Sequence, residues 1–83
     1  MGKYRQVLSL PAQLGPILRS ARIEAGLNQA DLATKVALSQ KRISSLELAP
    51  GSMNLDQLLA ITAELGLELI VQSRGTDAPR SEW

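Results

Sequence analysis

Apolar residues recur at three- and four-residue intervals along most of the chain, the spacing of one face of a helix. Leu14, Ile17, Leu18 and Ala21 make the first stripe, and Gly26 follows as a helix-ending residue. Pro16 falls in the first turn, where a missing N–H costs least. These marks predict a helix over about 13–25. Asn28 then offers a side-chain oxygen as N-cap, with Asp31 three residues on to face the positive helix end. Leu32, Ala33 and Val36 form the buried stripe of a short second helix, about 29–36. Ser39 caps a third helix, whose inward residues are Ile43 and Leu46 and which runs to about residue 48. Pro50-Gly51 breaks the chain, and Asn54 with Gln57 reads as a capping box. The fourth helix it opens has Leu55, Leu58, Leu59 and Ala63 as its apolar face and ends at Gly66. Leu67 to Gln72 is rich in β-branched residues, has one apolar face and is too short for another helix, so a strand is expected. From Ser73 onward nothing is available to bury.

The pattern divides the chain into an N-terminal arm (1–11), an all-α four-helix domain (12–66), a short C-terminal β-strand (67–73) and a flexible tail (74–83). At 83 residues, 45% of them hydrophobic, the chain supports one small core. A domain of this size buries only about 60% of its unfolded surface and gains stability from a partner. The net charge of +1 carries no argument, but its distribution does. Lys3, Arg5, Arg19 and Arg22 have no acid among them, nor do Lys35, Lys41 and Arg42, whereas residues 43–72 carry four acids and no base.

Composition removes most chemistry. Without His or Cys there are no disulfides, thiolate nucleophiles, imidazole bases or ordinary zinc sites. Neither an S-x-x-K spacing nor a G-x-x-x-x-G-K loop occurs. The aromatic residues are Tyr4 and Trp83, so no platform stacks single-stranded bases. No apolar run is long enough to span a bilayer or form a secretory core, and Gln6 stands where myristoylation wants Ser or Thr. The expectation is a cytoplasmic, nucleoid-associated, non-enzymatic domain with no cofactor and no metal.

The two short helices joined by Ala37-Leu38 form a helix-turn-helix candidate over residues 29–48. At about 100° per residue, with Ile43 and Leu46 inward, Lys41, Ser44, Ser45 and Leu48 point outward, and Gln40 and Arg42 flank them. That face is polar and basic with no acid, and its serines permit close approach. In a DNA major groove, Gln40 matches adenine and Lys41 matches guanine. Gln29 and Ser39 stand at helix N-termini, which favour phosphate oxygens, and Arg42 is placed to reach the DNA backbone. Taken singly, each of these residues fits an ordinary solvated helix face. The conjunction of caps, tight turn, spaced core and acid-free face favours nucleic acid.

The stretch LGPILRSARIEAGLNQADLATKVALSQKRISSLE closely resembles the phage-repressor-like helix-turn-helix family, the XRE or Cro/cI group. The likeness covers residues 14 to about 66, and L-x-Q-x-x-L-A followed by S-Q-x-x-I-S-x-x-E is its most specific part. It implies a four- or five-helix DNA-binding domain that acts as a dimer with its third helix in the major groove. It also implies base and phosphate roles for Gln29, Ser39, Gln40, Lys41, Ser44 and Ser45. It further implies that Arg22 pairs with Glu47; the alternative is two independent surface charges contributing about 0–1 kcal/mol. The family usually has Gly where this chain has Ala37, a cost if φ there is positive.

The ending LGLELIVQSR is similar to HipB-type antitoxins, whose C-terminal strand pairs across a dimer axis. A lone strand leaves its backbone unpaired, and a two-fold copy would satisfy it. Leu67, Leu69, Ile70 and Val71 are the residues expected in that pairing. Pairing with Val7-Leu8 of the same chain, or a coil packed on the helices, are the alternatives. This likeness implies operator DNA, a second copy of the chain and a HipA-like serine/threonine kinase toxin as partners. Trp83, the lone indole, is either a partner anchor or an exposed residue without a role. A toxin-independent repressor of the same fold, and a helical adaptor that binds only protein, remain the competing readings.

Overall fold

The computed structural model describes residues 5–74, so the expectations for Lys3, Tyr4, Trp83 and most of the tail lie outside the described residues. Among the described residues four α-helices follow one another: α1 Leu14–Glu24, α2 Gln29–Lys35, α3 Gln40–Leu48 and α4 Leu55–Glu64. Single 3-10 turns at Pro11–Gln13 and Pro50–Ser52 lead into α1 and out of α3. The fold is all-α, as the periodicity requires.

Local chemistry sets where these helices begin. Asn28, Ser39 and Asn54 each take extended backbone and accept a hydrogen bond from the N–H three residues on, that of Asp31, Arg42 and Gln57 respectively. In α2 and α4 the box closes, because Asp31 and Gln57 return a side-chain oxygen to the cap's own N–H. α1 lacks such a cap. There Gln13 Oε1 accepts from the N–H groups of Ser9, at 2.6 Å, and Leu10, at 2.9 Å, and secures the 3-10 turn that feeds the helix.

The ends of α1, α2 and α4 share one motif. In each, a left-handed residue follows the helix: Gly26 at φ 77°, Ala37 at φ 59° and Gly66 at φ 73°. The next residue is always leucine, and its N–H reaches back to a carbonyl of the last turn: Leu27 to Arg22 at 3.1 Å, Leu38 to Ala33 at 2.9 Å, Leu67 to Thr62 at 2.9 Å. This is the Schellman arrangement, in which an apolar residue just past the helix turns back onto it. Leu27, Leu38 and Leu67 all pack against the core. Ala37 takes a positive φ that glycine would adopt freely, so the turn is made at the expense of Cβ strain.

The core gathers Leu18 and Ala21 from α1, Leu32 and Ala33 from α2, Ile43 and Leu46 from α3, and Ile61 with Leu65 from the end of α4. The expected apolar face of α4 is displaced. Leu58 is half-buried, while Leu55 and Leu59 are exposed and Ile61 and Thr62 are inside. Apart from the side of Asp56, Gln57 and Glu64 the helix is broadly apolar, so spacing alone could not select the buried strip. Buried Thr62 is satisfied within the helix, donating to the Leu58 carbonyl at 2.8 Å.

α1 and α3 approach closely at Gly15, which lies against the Glu47 carbonyl oxygen; a Cβ there would collide with that oxygen. The glycine is thus required for contact, not for backbone freedom.

After Gly66 the described chain has no regular secondary structure. Residues 67–73, expected as a strand, form no ladder within the single chain, and no backbone hydrogen bond joins them to Val7-Leu8. The two segments instead flank an open groove of about 1010 Å³, with Val7, Leu8, Leu14, Ile17, Leu69 and Ile70 among its walls. One side-chain bond crosses it, from Arg5 Nη2 to Gln72 Oε1 at 3.1 Å. The pairing within one chain is therefore not made, and both backbones keep free edges.

Candidate functional site

Ile43 and Leu46 fasten α3 to the core from behind, both almost wholly buried. On the opposite side Gln40, Lys41, Ser45 and Leu48 are exposed and Ser44 is half-buried. Leu48 is 84% exposed, an apolar group in the middle of an otherwise polar face. Ser39 is exposed at the N-cap, where its hydroxyl oxygen is occupied by the Arg42 N–H at 3.0 Å.

Glu47 is the sole acid on α3, and it does not reach this face as a charge. Arg22 Nε donates to Glu47 Oε2 at 2.7 Å and Arg22 Nη2 donates to Oε1 at 3.1 Å, a bidentate pair. The two side chains are 9% and 5% exposed, so this is a buried ion pair. Arg22 Nη1 also donates to the Leu27 carbonyl at 3.0 Å, which ties the α1–α2 turn into the same cluster. The hydrogen bond to Glu47 raises the Arg22 pKa above its ordinary value, burial opposes the rise, and the charge of Glu47 adds to it. Gln29 completes the cluster: its Nε2 donates to Glu47 Oε1 at 3.2 Å and leaves the amide half-buried at the start of α2. The Gln29 amide nitrogen is thus committed to the protein.

Arg42 differs most from the sequence expectation. Its backbone N–H closes the Ser39 cap, and its guanidinium turns away from the outer face. Nη1 donates to Ser52 Oγ at 3.3 Å, and Nη2 donates to the Ser52 carbonyl at 3.0 Å and to Gln57 Oε1 at 3.1 Å. These partners lie ten and fifteen residues away, at the entry to α4, and no local spacing announces them.

The four residues expected in the strand also have definite places. Leu67 is half-buried on the core, whereas Leu69, Ile70 and Val71 are exposed, Val71 at 94%. The face of α3 therefore offers an amide, an ammonium and two hydroxyls free of internal hydrogen bonds among the described residues. Such a set can both donate to and accept from a polar surface of matching shape.

The helix-turn-helix family matches residues 18–71. Among solved structures, a chain of the HipA-HipB-O2-O3 complex is similar over 86% of this chain and 100% of its own length, with 27% identity and a TM-score of 0.77. A HipB variant in complex with an O2 20mer gives 27% identity over 88% of this chain and 100% of that one, with a TM-score of 0.76. A HipB-O1-O2 complex gives 27% identity over 84% of this chain and 100% of that one, with a TM-score of 0.73. Among curated proteins none matches. Among the described residues no helix is long and apolar enough to cross a membrane, and no cluster of acids forms a metal site.

Proposed function

This chain belongs to the helix-turn-helix family, and from that premise we propose that it is a dimeric, sequence-specific DNA-binding repressor that inserts α3 into the major groove of operator DNA. The observation that carries the reading is the exposed, acid-free face of α3, with its single carboxylate neutralised by Arg22. An α-helix fits the major groove, and this face brings side chains suited to base edges. Gln40 reads adenine, Lys41 reads guanine, and Ser44 and Ser45 allow the helix to come close. Ser39 and Gln29 stand at the N-termini of α3 and α2, where backbone N–H groups favour phosphate oxygens.

The second copy is argued from what one chain leaves open. Val7, Leu69, Ile70 and Val71 are exposed apolar groups beside backbone edges that no ladder occupies. Pairing of residues 67–73 with their two-fold counterpart would fill those edges and cover that surface. Repression of its own operon as the antitoxin of a HipA-like serine/threonine kinase is the finer reading. It is supported by likeness to a structure whose name joins HipA to HipB. Trp83, at the end of a polar tail, is then an anchor for that kinase.

The test is a gel shift with the DNA upstream of the gene, repeated over a salt series. A repressor gives a sequence-specific shift whose log affinity falls with log salt at about −0.9 per neutralised phosphate. A protein-only adaptor gives no specific shift, which overturns the reading. Co-purification with a kinase-sized neighbour separates an antitoxin from a toxin-independent repressor.

A further inference from the structure

The geometry points to Arg42 as a positioning residue that clamps the first turn of α3 to the entry of α4, and not as a DNA contact. The inference rests on the reading of α3 as the base-reading helix. Arg42 is the third residue of α3, where a capping box places a side chain that returns to the helix's own cap. An arginine has no acceptor and cannot close that box. Its guanidinium instead crosses to the next helix start, where three hydrogen bonds hold it on Ser52 and Gln57. Gln57 is itself the box residue of α4, and the oxygen that takes Arg42 Nη2 also accepts from the Asn54 N–H at 3.2 Å. The two helix starts are thereby wired through their matching side chains.

The consequence for reading DNA is mechanical. Behind α3, Glu47 fixes the C-terminal half against α1, through the Arg22 pair on its side chain and the Gly15 contact on its carbonyl. Arg42 is the corresponding restraint at the N-terminal half, where Gln40 and Lys41 project. With both halves held, the face meets base edges without first ordering, and wrong bases are not accommodated by a rocking helix. Ser52 presents its carbonyl and hydroxyl in a fixed fork, and the planar guanidinium engages both. Lysine brings a point charge and no such fork.

The test compares wild type with Arg42→Ala, Arg42→Gln and Arg42→Lys in two measurements. The first is affinity for the upstream promoter duplex, and for the same duplex with one altered half-site, across a salt series. A clamp predicts that Arg42→Ala binds at least tenfold more weakly and discriminates less between the duplexes. Its log–log salt slope stays unchanged, and Arg42→Lys does not restore binding. A slope reduced by about 0.9 per subunit with rescue by lysine, or an unchanged affinity, overturns it. The second measurement is amide hydrogen exchange of the free proteins. The clamp predicts at least tenfold faster exchange at Ile43, Ser44 and Met53 in Arg42→Ala or Arg42→Gln, with α1 and α2 unaffected; equal exchange overturns it. Should wild type bind no DNA, the repressor reading fails, and exchange alone decides whether Arg42 holds α3. If Arg42→Ala does not fold, the lysine and glutamine variants, which keep the aliphatic stem, carry both arms.

Discussion

Arg22 and Glu47 are paired so closely that each would be an uncompensated charge without the other. Removing one partner of a buried pair costs about 3–5 kcal/mol. Gln29 keeps one bond to Glu47, so Arg22→Ala should cost about 3 kcal/mol in urea unfolding; a loss below about 1 kcal/mol would mean the pair behaves as an exposed one. A base whose folded-state pKa is raised stabilises fully below its unfolded pKa, and that stability is lost only as pH rises through the folded value. On the Arg22 side, the melting difference between wild type and Arg22→Ala should therefore stay constant from about pH 7 to about pH 10. Ala37 is the opposite case, a residue held at φ 59° where alanine is strained. Ala37→Gly relieves about 1–2 kcal/mol of strain and gives back about 0.5–1 in unfolded-state entropy. Net stabilisation of up to about 1.5 kcal/mol is the expected result in the same unfolding assay.

At the level of elements, Gly15 separates contact from propensity. Alanine is the better helix former by about 1 kcal/mol, yet its Cβ would strike the Glu47 carbonyl. Gly15→Ala should thus destabilise by about 1–3 kcal/mol in thermal melts, and a more stable variant would show that α1 does not press on α3. The helix boundaries were legible in the sequence because caps are local: Asn28, Ser39 and Asn54 lie three residues from the N–H groups they serve. The outward face of α3 was legible for the same reason, since a helical period relates its residues. The buried side of α4 was not, because leucine, isoleucine and alanine spread over a broad arc of that helix and only its neighbours decide which part is covered. Nor were the partners of Arg42 and Gln29, which depend on how three helices come to lie together. The strand remained open because a ladder needs a second strand, and the arm of the same chain does not supply one.

For the whole molecule, the proposed dimer would cover the exposed groove beside residues 67–73 and so couple folding to assembly in this small domain. Replacing Ile70 and Val71 by lysine should convert a dimer into a monomer in sedimentation, with a melting temperature that no longer rises with protein concentration. The proposed dimer would place its two α3 helices on successive turns of one face of DNA, so protected half-sites should lie about 34 Å apart or at a multiple of that distance. The charge distribution suits this arrangement, since Lys41 stands on the α3 face without a competing acid while residues 49–72 carry acids and no base.

In the proposed complex α3 meets bases through Gln40 and its neighbours. A fluorescence anisotropy titration of Gln40→Ala against the promoter duplex, and against duplexes altered one base pair at a time, tests it most directly. The predicted result is a loss of about 1–3 kcal/mol on the native duplex with discrimination relaxed at a single position. Affinity and discrimination equal to wild type at every position would contradict it.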